Sequence, residues 1–274
     1  MSVLKKLLVV SRYAKALEHM STKEAFTSIP EKDKAFLQSL VMFLERNRDN
    51  FVAECQKPFS EDDEDNVPYA RKFCSLITVL CSNYELLLIQ PTQESAALFR
   101  LMKDCAGSQN QRIAIHSLDF WESFYETITT TIENLKEYAH LFKEFQEVAQ
   151  ITLYASAKLQ SIPYHELEAE EIDELEMTER GVQLPRFREQ AGDVLMRTYG
   201  LLERYYGNEG ADIVLQMILR ALQAGADDAW SAEVSFFGAR SILDALPEET
   251  PLDPKSLAFM KQLIEFIVTN QQAS

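Results

Sequence analysis

Glycine and proline are scarce in this sequence, with 8 and 9 residues among 274. Segments of strict apolar and polar alternation bounded by turn residues, which are typical of half-buried strands, are also missing. Apolar residues instead recur every three or four positions over long stretches, which predicts helices. We therefore expect an all-α fold.

Cysteine is limited to Cys55, Cys74, Cys81 and Cys105, with no CxxC pair and no histidine at zinc-ligand spacing. The four histidines share no ligand spacing with cysteines or acids either. A chain of this length with 46% hydrophobic residues can bury a large core without disulfide bonds. We expect buried, reduced thiols, no metal site and no cofactor.

Catalytic motifs are also missing, since the chain has neither a phosphate-binding glycine loop nor a nucleophile elbow. We predict that the protein is not an enzyme. The alternative is an enzyme on an all-α scaffold with clustered carboxylates, and turnover or a stoichiometric metal in purified protein would support it.

Long apolar runs are absent as well, and none approaches the roughly 18 residues that propose a membrane span. The opening MSVLKKLLVV is followed at once by polar residues, without a small-residue cleavage site, so neither membrane insertion nor a signal peptide is expected. A mitochondrial presequence is a weaker alternative, because no acid precedes Glu18.

Negative charge is plentiful but unevenly placed. The net charge is −16, and an acidic loop (59–66) and an acidic insertion (163–183) supply most of it. Because no basic stripe is available for phosphates, nucleic acid is excluded as a direct partner and a basic protein is favoured. The candidate contacts are Asp62, Asp63, Glu64 and Asp65 in the loop and Glu168, Glu170, Glu171, Asp173 and Glu174 in the insertion. Solvated loops without a partner are the alternative for both stretches.

The segment from Arg112 to Ile128, RIAIHSLDFWESFYETI, predicts a helix that is apolar over most of its circumference. Only His116, Asp119, Glu122 and Glu126 mark a polar side. A helix of this kind has to be covered by neighbours on several sides. A stack of helical pairs provides such cover, and a chain built in this way repeats its helices at a regular spacing.

The predicted helices recur at a regular spacing. First helices of successive pairs begin near Val67, Gln111, Phe187 and Trp230, at intervals of 44, 76 and 43 residues. Second helices begin near Gln93, Tyr138, Glu209 and Lys255, at intervals of 45, 71 and 46 residues. HEAT-type pairs repeat about every 40–47 residues, and the acidic insertion accounts for the longer middle interval.

With one further pair at the amino end, these intervals predict a single HEAT-like α-solenoid of about five pairs over residues 1–274. Four aromatic side chains are expected to pack between repeats: Trp121, Phe124, Phe187 and Trp230. The alternative for the two tryptophans is stacking on a ligand.

Four segments resemble, in this order, the importin-β superfamily of nuclear transport receptors, and within it the transportin-SR branch. They are Tyr69–Leu88, Cys105–Phe124, Leu184–Glu203 and Asp227–Leu246. The resemblance implies an internal segment of a HEAT-repeat receptor that binds protein cargo, contacts nucleoporins and shuttles between cytoplasm and nucleus.

Two features of that family have no counterpart here. The amino-terminal repeats that hold the GTPase Ran and the arginine-rich helix that engages Arg-Ser cargo are not recognisable, so Ran binding is expected only in a longer chain. The alternative function is a short HEAT-repeat scaffold or adaptor that joins two proteins without a Ran cycle.

Replacing Trp121 by Ala should lower the free energy of unfolding by about 3–5 kcal/mol, because a large buried ring leaves a cavity. Neutralising Glu170, Glu171, Asp173 and Glu174 together should leave the melting curve nearly unchanged. Thermal and urea unfolding of both variants measure this difference. Unfolding of the charge-neutralised variant would instead show that the acidic segment is structural.

Overall fold

Helices account for nearly all of the residues that the computed structural model describes, which are 31–56, 68–158, 179–224, 229–243 and 254–271. These ranges contain no strand, so the predicted all-α class is confirmed for them. The chain divides into two compact units, residues 1–133 and 134–274.

The first unit contains α1 (Glu31–Cys55), α2 (Pro68–Asn83), the single turn α3 (Glu85–Leu88), α4 (Gln93–Ala106) and α5 (Gln111–Thr131). The second contains a short 3₁₀ turn (Leu135–Glu137), followed by α6 (Ala139–Lys158), α7 (Glu179–Tyr206), α8 (Asn208–Ala224), α9 (Ala229–Leu243) and α10 (Pro254–Gln271).

The tryptophan helix α5 is covered on several sides, as its composition predicts. It packs against α2 and α4, and Trp121, Phe124 and Ile128 are fully buried. The Trp121 ring lies parallel to Phe99 of α4, with centroids 5.9 Å apart. His116 lies on the side that remains exposed. The aromatic contact therefore joins α5 to α4.

Polar contacts show that α1 and α4 run parallel. Gln38 donates to Glu94, and Arg48 donates to Asp104 further along both helices; each contact spans 56 residues. Between them, Arg100 approaches Glu45 at 3.7 Å. Because the sequence number rises together on both helices, the two have the same direction.

Helices α2 and α5 are also parallel. The Cys74 thiol of α2 donates to the backbone oxygen of Ile113 near the start of α5, over a span of 39 residues. Directly after α2, the Glu85 carboxylate accepts from Ser123, over 38 residues, and from Thr127. The parallel pair α1 and α4 therefore packs on a second parallel pair through the contacts α1–α2, α2–α4 and α4–α5.

In the second unit, α7 and α9 form a third parallel pair. Arg188 pairs with Glu233 over 45 residues, and a Cβ at Gly192 would lie 3.1 Å from Ser241 Oγ, further along both helices. Helix α8 packs against α6, α7, α9 and α10, and only Gln216, Arg220 and Gln223 of its second half are exposed.

One contact in this unit is not expected in a stack where each helical pair contacts only the pairs next to it. Helix α6 packs against α9 as well as against α7 and α8. At Gly238 of α9, an added Cβ would come within 2.7 Å of Leu153 of α6 and 2.9 Å of Ile218 of α8. The absence of a side chain at Gly238 thus leaves room for Leu153 and Ile218, whose side chains would have to shift to accommodate a Cβ.

Two helix boundaries differ from their predicted positions. The apolar spacing predicts one helix that continues to Leu88, but α2 ends at Asn83, because the Tyr84 N–H bonds to both Leu80 and Cys81 and tightens the last turn. Helix α7 begins at Glu179, within the predicted insertion, whereas the repeat spacing predicts a start near Phe187. The carboxyl end of α7 lies where expected, because Gly207 adopts the left-handed conformation (φ 62°) that ends helices.

The thiols are buried and unbridged, as predicted for all four cysteines. Desolvation by burial raises the pKa of Cys81 and Cys105 well above the ordinary thiol value, because the thiolate would lose its hydration. These side chains therefore stay neutral in the folded protein across the physiological pH range.

The free energy of unfolding should fall as the pH rises above about 9. Unfolded thiols lose their protons near that pH, whereas the buried ones keep theirs, so the unfolded state binds fewer protons and is favoured. Each fully buried thiol contributes a limiting slope of about 1.4 kcal/mol per pH unit. When it is measured by urea unfolding between pH 7 and 10, the free energy of unfolding of Cys105→Ala should decline less steeply than that of the parent chain. An equal slope would contradict a raised pKa for Cys105.

The Arg48–Asp104 bond should stabilise the first unit measurably. It is bidentate, with Nε–Oδ2 and Nη2–Oδ1 distances of 2.6 and 2.9 Å, and the hydrogen bond to Asp104 raises the pKa of Arg48. We expect Arg48→Met to cost about 1.5–3 kcal/mol. Arg100→Met is the matched control on the same two helices and should cost less than about 1 kcal/mol, since the 3.7 Å contact with Glu45 is too long for a hydrogen bond and the Arg100 side chain is half exposed. If Arg48→Met and Arg100→Met lowered the free energy of unfolding equally in urea, the special role of the Arg48–Asp104 bond would be contradicted.

Candidate protein-binding groove

The acidic residues predicted to contact a basic partner lie outside the described residues. This holds for all nine of them: Asp62, Asp63, Glu64, Asp65, Glu168, Glu170, Glu171, Asp173 and Glu174. Their role therefore stays a prediction.

The predicted packing aromatics fall in different surroundings. Trp121 and Phe124 lie in the core of the first unit, with centroids 5.9 and 5.7 Å from the Phe99 ring of α4. Phe187 is fully buried on α7. Trp230 belongs to α9, and its side chain lies outside the described part. The three described rings are buried, which leaves no exposed face for a ligand.

A groove that the sequence analysis did not single out lies between α7 and α9, with a volume of about 780 Å³. Helix α7 lines it with Arg188, Glu189, Gly192, Asp193 and Met196. Helix α9 lines it with Glu233, Phe236, Phe237, Arg240 and Ser241. Each stripe spans eight residue steps, which correspond to about 12 Å of helix.

The floor of the groove depends on a close approach of the two helices. Gly192 of α7 faces Ser241 of α9, and an added Cβ would lie 3.1 Å from its Oγ. Ser241 is itself buried and donates to the Phe237 backbone oxygen at 2.9 Å. Its hydroxyl is therefore satisfied within α9 and does not need to bond across to α7.

Arg188 joins the two helices at one end of the groove. It donates to Glu233 of α9, and its guanidinium carbon lies 5.4 Å from the centroid of the Phe237 ring. A cation over an aromatic face that also pairs with a carboxylate is held by both contacts. The charges of Arg188 and Glu233 compensate each other.

The remaining charges of the groove are divided between its walls. Glu189 and Asp193 lie one turn apart on the α7 wall, and Arg240 lies on the α9 wall. Met196 of α7 is half-buried, and the Phe236 ring of α9 is 37% exposed. The groove is thus lined by both apolar and charged side chains.

This arrangement has the composition of a binding surface. Among the residues with described positions, no three His, Cys, Asp or Glu side chains come together as a metal site. None of the described helices is long and apolar enough to cross a membrane. A lining that mixes apolar and charged side chains is found on surfaces through which proteins bind one another.

The groove could not be found from the sequence alone. Stripes with spacing of three and four are visible around Glu189–Met196 and Glu233–Arg240, but every amphipathic helix shows such stripes. Only the parallel packing of α7 on α9 shows that these two stripes face the same space.

No protein-family model, curated protein or solved structure matches this chain. The resemblance to nuclear transport receptors therefore rests on the four quoted segments, and function has to be argued from them and from the geometry of the helices.

Proposed function

We propose that this chain is a segment of a nuclear import receptor that binds protein cargo and is built from about five stacked helical pairs. The observation that carries the proposal is the set of three parallel helix pairs, α1 with α4, α2 with α5, and α7 with α9. Stacked helical pairs place the first helices of successive repeats side by side in the same direction, and likewise the second helices.

The spacing within these pairs supports the same interpretation. Contacts between α2 and α5 span 38 and 39 residues, and those between α7 and α9 span 45 to 49. Both are close to the repeat length of about 40–47 residues of HEAT-type pairs. The span of 56 residues between α1 and α4 is longer because the acidic loop (59–66) lies between α1 and α2.

The charge distribution supports a basic cargo. The described helices are close to electrically balanced, and the acidic loop and insertion supply most of the net charge of −16. Many weak, salt-sensitive attractions to such segments suit a basic nuclear protein. In this proposal the chain shuttles between cytoplasm and nucleus and contacts nucleoporins, whereas Ran acts only on a longer chain.

A second candidate is a short helical scaffold that holds two proteins together without a Ran cycle. The contact between α6 and α9 favours it. In the five-pair assignment, α6 belongs to the third pair and α9 to the fifth, so their contact bypasses the α7–α8 pair. A closed group of four helices suits a compact adaptor better than an open stack does.

A nuclear import assay in permeabilised cells tests the first candidate. The chain should accumulate a fluorescent basic protein in nuclei, and neutralising Glu170, Glu171, Asp173 and Glu174 should remove most of this accumulation by weakening cargo binding. The matched control neutralises four exposed acids among the described residues: Glu126, Glu133, Glu203 and Glu209.

Equal effects of the two variants would contradict the role of the acidic insertion. Absence of accumulation by the unmodified chain would contradict the import function. A radius of gyration near the roughly 19 Å of a compact chain of this length would favour the scaffold, since an open stack exceeds that value.

A further inference from the structure

Helix α10 (Pro254–Gln271) is apolar on two sides but has one main neighbour. Among the described helices, α8 is the only one against which α10 packs extensively, and Phe259 of α10 is buried. Two other large apolar side chains of this helix are not covered, since Leu257 is 44% exposed and Ile264 is 53% exposed. Exposed apolar side chains that lie together indicate a surface for another protein.

The rotation of about 100° per residue shows how these side chains are arranged around α10. Ile264 lies about 20° from Leu257, so that the two side chains form one strip about 10 Å long, which we call the outer strip. Phe259 lies about 160° from Leu257, which agrees with its burial on the opposite side of the helix. The outer strip is therefore a continuous apolar surface on the side of α10 that faces solvent.

One side of the outer strip carries a lysine and a glutamate. By the same rotation, Lys261 lies about 40° and Glu265 about 80° from Leu257, both in the same direction around the helix. Both side chains are exposed. Half-buried Met260 lies on the other side of the strip. The two charges have opposite signs and are four residues apart along one edge of the strip.

A second copy of the chain matches this pattern when two α10 helices lie antiparallel. A twofold axis perpendicular to the helices brings the same edge of each strip together, so that Lys261 of one copy lies beside Glu265 of the other, twice in the dimer. With the axis near Gln262, the side chains of the two outer strips alternate along the contact at steps of about 5 Å. In the same arrangement Lys261 and Glu265 are offset by about 3 Å along the helices, which their long side chains can span.

The charge of α10 also suits a contact between two copies. The helix holds Lys255, Lys261 and Glu265, and therefore has a net charge of +1 in a chain whose net charge is −16. Two acidic copies repel each other, and this repulsion is smallest where the facing surfaces are not acidic. A second copy is thus favoured as the occupant of this face by both the pattern and the sum of its charges.

We propose that two copies of the chain associate through antiparallel α10 helices, with their outer strips in contact and Lys261 of each copy beside Glu265 of the other. The inference goes beyond the proposed function, because a second copy is neither cargo nor a nucleoporin. A contact between two single helices is at the small end of protein interfaces, so we expect a weak dimer with a dissociation constant on the order of 10 μM.

Sedimentation equilibrium of the full chain tests the inference. The parent chain should show a monomer–dimer equilibrium, and Ile264→Glu should weaken it more than about a hundredfold, because two carboxylates would meet near the axis. Met42→Glu is the matched control, since Met42 of α1 is 54% exposed and the charge change is the same. It should leave the dissociation constant within about a factor of two of the parent value.

Charge reversal tests the antiparallel arrangement. Lys261→Glu and Glu265→Lys, each alone, place like charges beside each other at both ends of the contact and should weaken the dimer at least about tenfold. Mixed in equal amounts, with one variant fluorescently labelled, they should associate as tightly as the parent chain, because each acidic position then faces a basic one. Within each copy, positions 261 and 265 still have like charges, so the recovery reports the contact between copies alone.

A parent chain that stays monomeric at about 500 μM would overturn the inference, because another occupant would then have to cover the outer strip. A dimer that persists in Ile264→Glu, or a mixture of the two charge variants that stays monomeric, would overturn it as well. The substituted side chains are all exposed, so thermal melts of the variants should match that of the parent chain.

Discussion

The need to cover helices that are apolar over most of their circumference is the constraint on which this architecture depends. Helix α5 buries Trp121 and Phe124 against α4 and packs against α2 as well. Helix α8 has the same position in the second unit, where α6, α7, α9 and α10 surround it. A helix with a single apolar stripe needs one neighbour, whereas these two need several. The other helices are arranged around them.

Parallel pairs of helices supply the neighbours that these two helices need, and the same kind of contact recurs along the chain. If the single turn α3 is not counted, the parallel neighbours are helices two positions apart in the chain, with one helix between them. The contacts of Arg48 with Asp104, Glu85 with Ser123, and Arg188 with Glu233 show this in three places. Side-chain bonds between such neighbours add specificity, since the bidentate Arg48 pair requires one register of α1 on α4.

Coverage is less complete on the exposed side of α7 and α9. Close approach at Gly192 brings the two helices together at the floor, whereas Phe236 and Met196 above it keep part of their apolar surface exposed or half-buried. One cation is already bound within the groove, because Arg188 contacts both the Phe237 ring and Glu233. A partly exposed apolar surface beside charged side chains is the kind of surface that proteins use to bind one another.

The sequence by itself determined the helical class, the apolar faces of α5 and the burial of the four thiols, because periodicity acts within one helix. The turn at Tyr84 and the early start of α7 at Glu179 were not predicted, since competing backbone bonds and packing decide helix ends. Only the tertiary structure decided which helices are parallel, that α6 reaches α9, and that Glu189 and Arg240 face one groove. These relations join residues from 38 to 85 positions apart, and no local pattern specifies which faces will meet.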